Sequence, residues 1–196
     1  MRASRTRYIL LGVLTLGPKS GYDIKKFIEQ SVGYFWSESF GQIYPTLRQL
    51  DAEGLVKHRV EGKAGRPDRY VYTLTARGRA ELRDWLTQPA EPEIPRHELL
   101  LKLFFGTQVS AQANLAHVIR YRREIERYVA MLKEGDRKLR KKYGDSEQGT
   151  YWLLTVAQGV LVNEALLQWC KRAERELRKL EKRERGAGSR ERKVSG

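Results

Sequence analysis

Apolar residues in the first ninety positions fall into helical and strand-like stretches that alternate along the chain. Tyr8, Ile9, Leu10, Leu11, Val13, Leu14 and Leu16 crowd into one short run, which predicts a mostly buried helix ended by Gly17-Pro18. Gly12 inside it suggests a close approach by another element. Ser20-Gly-Tyr-Asp23 has capping-box spacing, and Ile24, Phe27 and Ile28 give the following helix an apolar face. The rings of Gly33-Tyr-Phe-Trp-Ser37 are expected to plug the core between helices. Ile43, Leu47 and Leu50 then recur at helical spacing within a helix expected over about 39–53. Ser39 and Gln42 fit a second capping box, and Gly54 a left-handed stop. Pro45 conflicts with this, because it removes a backbone donor about one turn in. Either the start is distorted or the regular helix begins near Tyr44. Leu55–Val60 and Tyr70–Leu74 read as two short strands around a tip marked by Gly62, Gly65 and Pro67. Thr75 caps a further helix through Gln88, with Ala80, Leu82, Trp85 and Leu86 as its apolar members.

Pro89-Ala-Glu-Pro-Glu-Ile-Pro95 reads as a linker, and beyond it the pattern is all helix. A leucine- and phenylalanine-rich helix spans His97–Phe105, and Ser110 is placed to cap a long one from Ala111 to about Tyr143. Val118, Ile125, Val129, Leu132 and Leu139 form an imperfect heptad seam there, with Arg122 and Asp136 in two of its slots. Gly144-Asp145 breaks the helix, Asp145 and Gln148 fit another capping box, and a last helix is expected from about Thr150 to Lys182. The predicted divisions are 1–88, a linker at 89–96, a helical domain at 97–182 and a basic, disordered tail at 183–196.

The order helix, helix, helix, hairpin, helix is that of a winged helix-turn-helix, so the chain is read as mainly α with a small β-hairpin and a helical C-terminal domain. This order changes the meaning of the polar residues. Gln42, Tyr44, Thr46, Arg48 and Gln49 alone fit an ordinary amphipathic helix as well as a reading surface. In a third helix they are suited to duplex DNA, since arginine pairs bidentately with guanine and glutamine with adenine. Lys63, Arg66 and Arg69 make the hairpin tip, 62–69, cationic and fit to meet phosphate. Lys19, Ser20 and Tyr22 surround a helix N-terminus, where backbone donors favour a phosphate. An ordinary cap beside an exposed lysine explains them equally well.

Net charge strengthens the nucleic-acid reading. The chain carries +14 with a pI near 10.0. The excess lies at the ends, with +6 over 1–88, +2 over 89–170 and +6 over 171–196. Cys170 is the one cysteine, which rules out an intramolecular disulfide and fits a reducing compartment. No A-x-A cleavage site follows the apolar N-terminal run, and no stretch approaches the roughly 18 apolar residues of a membrane span. A cytoplasmic protein without a membrane partner is expected. An enzyme is not expected. His58, His97 and His117 lack zinc-ligand spacing, and no phosphate-cradling glycine loop or nucleophile elbow is present. Neither Glu91/Glu93 nor Glu124/Glu126 is placed for acid–base work, so no metal or cofactor is expected. An RNA-binding or protein-interaction module is the remaining alternative. In the C-terminal helices Trp152, Trp169 and Asn163 are candidates for a small aromatic effector, although aromatic side chains there more often serve core or dimer packing.

Four segments carry a resemblance to the PadR family of bacterial transcriptional regulators. They are Tyr8-Ile-Leu-Leu-Gly-Val-Leu14, Gly17-Pro-Lys-Ser-Gly-Tyr-Asp-Ile-Lys25, Gly41-Gln-Ile-Tyr-Pro-Thr-Leu-Arg-Gln-Leu50 with Glu53-Gly-Leu-Val56, and Gly65-Arg-Pro67 followed by Tyr72-Thr-Leu-Thr-Ala-Arg-Gly78. The resemblance implies a homodimer joined through the C-terminal helices, acting as a repressor on a palindromic operator and in some relatives released by an aromatic effector. It also implies that Gln42, Tyr44 and Arg48 face the groove, and Ser39 and Pro45 beside them are counted among the DNA-binding candidates. Lys19, Ser20, Tyr22, Lys63, Arg66 and Pro67 would flank the phosphate backbone, and Arg69 joins them as a cation of the hairpin tip.

Overall fold

The computed structural model describes residues 5–36, 40–62, 69–92 and 95–194. They belong to two compact units, Met1–Glu93 and Ile94–Gly196. The first runs α1 (Thr6–Leu14), β1 (Lys19–Ser20), α2 (Gly21–Gln30), α3 (Ile43–Ala52), β2 (Val56–Glu61), β3 (Arg69–Leu74) and α4 (Ala76–Thr87). This is the expected winged helix-turn-helix.

Local chemistry explains most boundaries. Gly17, at φ 113°, supplies the backbone conformation that carries the chain away from α1. Ser20 Oγ accepts the Asp23 N–H at 3.2 Å while Asp23 Oδ2 accepts the Ser20 N–H at 3.1 Å, which completes the capping box of α2. Gly54, at φ 71°, closes α3 with two reverse bonds, Gly54 N–H to Asp51 O at 3.0 Å and Leu55 N–H to Leu50 O at 2.9 Å. Thr75 Oγ1 accepts the Gly78 N–H at 3.0 Å and starts α4 as expected.

Four expectations change in this unit, while the later start weighed for the third helix holds. The rings of 33–37 do not plug the core: Phe35 is 53% exposed, and none of the three joins the core cluster. A Cβ at Gly12 would meet nothing within 4 Å, so close approach does not explain that glycine. α3 starts at Ile43 after a 3-10 turn at Phe40–Gln42; Gln42 makes no side-chain cap, and Ser39 lies outside the described residues. Pro45 is therefore the third residue of the helix, where a backbone N–H has no intrahelical acceptor, and its missing donor costs no ladder bond. The sheet has three strands in the order β1-β3-β2, because Lys19 pairs with Tyr72 and Ser20 with Val71 beside the hairpin register Val56↔Leu74 to Glu61↔Arg69. Two extended residues leave no periodicity to read, so β1 escaped the sequence pattern.

Leu10, Leu11, Ile24, Leu47, Leu50, Leu55 and Val56 form a closed core under α3 and the sheet. Tyr8 stacks on Trp85 with centroids 4.4 Å apart. Arg7 reaches Glu53 at 2.7 Å and Glu81 at 2.5 Å, which ties α1 to the end of α3 and to α4.

The second unit contains α5 (Glu98–Phe104), α6 (Ala111–Tyr143) and α7 (Glu147–Val194). α6 and α7 form an antiparallel hairpin, with Leu115, Val118, Ile125, Val129 and Leu132 buried from one helix and Val156 and Cys170 from the other. The polar slots of the seam are satisfied: Arg122 bonds Glu174 and Glu126, each at 2.5 Å, and Asp136 holds Arg140 at 2.7 Å. Ser110 caps α6 as expected. Before α7 the cap is Ser146, whose Oγ accepts the Gly149 N–H at 3.0 Å, and not Asp145. α7 continues past Lys182 to Val194, so 183–194, expected to be disordered, extend the helix. Glu, Arg and Lys are good helix formers, and Arg185 bonds Glu181 one turn back at 2.6 Å. One 18-residue window of α7 reaches a mean hydropathy of 1.2 while only 17% buried, so by length and composition this helix could cross a membrane. That corrects the expectation that no stretch comes close; exposed Leu154, Leu161 and Val162 give the helix this character.

Candidate nucleic-acid interface

α3 turns Ile43, Thr46, Leu47 and Leu50 inward and leaves Gln42, Tyr44, Pro45, Arg48 and Gln49 exposed. Thr46 shares the buried stripe at spacing three and four, so it leaves the outward face on which it was expected. Gln49 donates to Glu53 Oε1 at 2.8 Å, and Arg7 grips the same carboxylate from behind. The Gln49 hydrogen bond, opposed by burial and helped by Arg7, holds the Glu53 carboxyl below its ordinary range. Arg48 forms no ion pair with a described residue and projects into solvent.

Tyr44 lies against the first residue of α2. A Cβ on Gly21 would fall 2.5 Å from Tyr44 Cε1, so only glycine admits the ring there. Gly21→Ala is expected to displace Tyr44 and weaken DNA binding about 5- to 10-fold, while stability changes by about 1 kcal/mol. Fluorescence titration and a urea melt of the same variant separate the two effects; unchanged affinity would remove Tyr44 from the interface.

The N-terminus of α2 differs from its expectation. Ser20 is buried, and its hydroxyl donates to Asp23 Oδ2 at 2.7 Å, so the geometry uses it as a cap. Asp23 also pairs with Arg69, and its carboxylate occupies the place a phosphate was expected to take. Tyr22 is 66% exposed beside it. Lys19 is half-buried, with Nζ 5.9 Å from the Phe27 ring centroid. Burial pushes the Asp23 carboxyl up, but bonds from the Ser20 side chain and backbone, then Arg69, bring it below the usual carboxylate range. A depressed folded-state pKa stabilises the fold above the unfolded value and stops doing so as pH falls through the folded one. Asp23→Asn should therefore destabilise the fold at pH 7, modestly because the side chain is 40% exposed, and the gap should narrow as pH falls below about 4. Urea melts at pH 7 and pH 3 check this, and a gap as wide at pH 3 as at pH 7 would contradict it.

Ser39, Lys63, Arg66 and Pro67 lie outside the described residues. Sequence reasoning missed Tyr70 and Tyr72, which with Tyr22, Tyr44, Asp23 and Arg69 line an open cleft beside α3. Their alternation had marked them only as strand residues. It also missed the bond between His58 Nδ1 and Asp51 Oδ2, 2.8 Å, which ties β2 to the end of α3. Among the described residues, no group of three or more His, Cys, Asp or Glu side chains could hold a metal.

The effector candidates do not converge. Trp152 meets Tyr143 edge-on at 5.1 Å, Trp169 meets Tyr121 at 6.5 Å, and Asn163 donates to Gly159 O in its own helix at 2.7 Å. At 1.5 Å per residue, Trp152 and Trp169 stand about 25 Å apart along α7. One small ligand cannot touch both within a single chain.

Comparison with known proteins agrees with this architecture. Residues 10–84 match the model of the transcriptional regulator PadR-like family, and 95–178 match that of the virulence activator alpha C-terminal region. The negative transcriptional regulator PadR of Bacillus subtilis is 40% identical over 108 residues, 54% of this chain and 59% of that protein. A Mycobacterium tuberculosis relative is 40% identical over 76 residues, 39% of this chain and 40% of its own length. The matched segments thus span less than two thirds of these curated relatives. Bacillus subtilis PadR solved in complex with operator DNA superposes with a TM-score of 0.77 at 27% identity, covering 87% of this chain and 98% of that one. The same protein solved with p-coumaric acid gives 0.74 at 27% identity, covering 87% of this chain and 97% of that one. With a winged helix followed by a helical hairpin, and with both segments matched in that order, the chain carries a PadR-like domain over residues 10–84 and is similar in architecture to transcriptional regulators of the PadR family.

Proposed function

We propose that this regulator is a homodimeric repressor that binds a palindromic operator and is released by a small aromatic effector. The outward face of α3 carries the proposal: Gln42, Tyr44 and Arg48 stand exposed on a helix whose other side is locked into the core. In the related Bacillus subtilis protein the same fold was solved on operator DNA. Arg48 has the reach and fork geometry to pair with guanine, and Gln42 can pair with adenine. Lys19, Tyr22 and Arg69, with Lys63, Arg66 and Pro67 of the hairpin tip, are assigned to the phosphate backbone.

Dimerisation is supported by apolar side chains left in solvent. Leu100, Leu101, Phe104 and Phe105 on and after α5, and Leu154, Leu161 and Val162 on α7, are all exposed. A two-fold dimer would set two copies of α3 roughly one helical turn, or about 34 Å, apart on the duplex. The relative bound to p-coumaric acid supports an aromatic acid as the effector class. The site of action is the cytoplasm, where the operator is. Selection from random duplex DNA tests the reading: enrichment of a palindrome supports it, and a pool without enrichment overturns it. Added p-coumaric acid should lower occupancy of the selected site if the effector class is right.

A further inference from the structure

Lys171, Arg175, Arg178 and Lys182 recur at intervals of four, three and four, which places them on one face of α7. All four are exposed, and with Glu174 and Lys179 they line one open groove. Eight basic residues lie between 171 and 185 against four glutamates. Most of these glutamates are spent elsewhere. The Glu174 side chain is 13% exposed and held by Arg122 at 2.5 Å. That of Glu181 is 17% exposed and bonded to Arg185 at 2.6 Å. Both oxygens of Glu184 accept the Ala111 N–H at 3.1 Å, so this carboxylate caps α6. The stripe itself has only distant partners, Arg175 to Glu176 at 3.6 Å and Arg178 to Glu174 at 3.9 Å. Lys171 and Lys182 form no ion pair with a described residue.

A charged helix face is ordinarily just solvated. Here Glu174 and Glu181 are turned inward, Glu176 stays exposed beside Lys179, and the four cations point outward over three turns, along about 16 Å of helix. A second copy of the chain is a poor occupant, since it would set like charge against like. The exposed apolar residues of α7 that suit a second copy lie earlier, at Tyr151, Leu154, Leu161 and Val162. An acidic membrane surface would require apolar side chains beside the cations, and only Leu180 is exposed among them. A duplex presents one phosphate charge per roughly 1.7 Å of axis, so about 16 Å of it offers more than enough for four cations.

We propose that the Lys171–Arg175–Arg178–Lys182 face is a second duplex-DNA contact, which grips phosphate backbone and reads no bases. It rests on the DNA-binding reading only for the identity of the polyanion. The test uses the full chain on its selected operator and on a random-sequence duplex, with affinity measured against salt concentration. The variant K171Q/R175Q/R178Q/K182Q should flatten the log–log salt slope by up to about 3.6 per protomer on both duplexes, at about 0.9 per phosphate contact. Base preference should not change. The charge-preserving variant K171R/R175K/R178K/K182R should restore the slope, and circular dichroism should show all three proteins equally helical. If wild type binds the operator and the glutamine variant keeps its slope, the second contact is wrong and the repressor reading stands. If wild type binds no duplex, both fall. Loss of binding to phosphatidylserine vesicles in the glutamine variant, with the DNA slope unchanged, would overturn the assignment in favour of a membrane.

Discussion

The double substitution Leu154→Glu and Leu161→Glu is expected to turn the protein into a folded monomer with at least a 100-fold loss in operator affinity. Both side chains are already exposed, at 62% and 67%, so the α6–α7 hairpin loses no internal packing when they change. Their apolar surface matters only where a second copy covers it. Burying each leucine there contributes about 1.5–3 kcal/mol, and a glutamate in its place brings a charge that must be desolvated. Two linked half-site binders exceed one by roughly 10²- to 10⁴-fold without any new base contact. Sedimentation should therefore report half the mass, circular dichroism an unchanged helix content, and operator titration the loss. A variant that stays dimeric with native affinity would move the interface off this part of α7.

Arg48→Ala should cost about 1–3 kcal/mol of operator affinity and relax discrimination at one base pair in each half-site. The guanidinium lies outside the core, so the fold should melt as before. Lys63→Ala is the control: its loss should be the same on every sequence and flatten the salt slope by about 0.9 per contact. A selection profile left unchanged in Arg48→Ala would assign base reading to another residue of α3.

The elements that could be read from the sequence are those that announce themselves within a few residues. The Ser20/Asp23 box, Gly54 past α3, Thr75 before α4 and Ser110 before α6 are local chemistry, and each holds in the structure. What escaped depends on residues far apart in the chain. β1 exists because Lys19 and Ser20 meet β3, more than fifty residues later. Thr46 is an exception: it was read as outward for its polarity, although its spacing of three from Ile43 and four from Leu50 already put it on the buried stripe. Arg69 and Asp23 were read as independent, one as a phosphate ligand and one as a cap, yet they pair with each other. Trp152 and Trp169 were grouped by chemistry, although separation along one helix keeps them apart. Pro45 was an objection only while the helix was taken to start at Ser39; starting at Ile43 turns the same residue into an ordinary early-turn proline.

The strand order β1-β3-β2 also bears on how the protein behaves when concentrated. β3 is flanked on both sides, but β2 has one side with no partner strand among the described residues. A bare strand edge invites another chain to pair with it. Here Lys57, His58, Arg59 and Glu61 lie exposed along that strand. An added strand would have to strip water from three cationic or titratable groups and a carboxylate before gaining its backbone bonds. The charged side chains of this edge thus deter edge-to-edge aggregation.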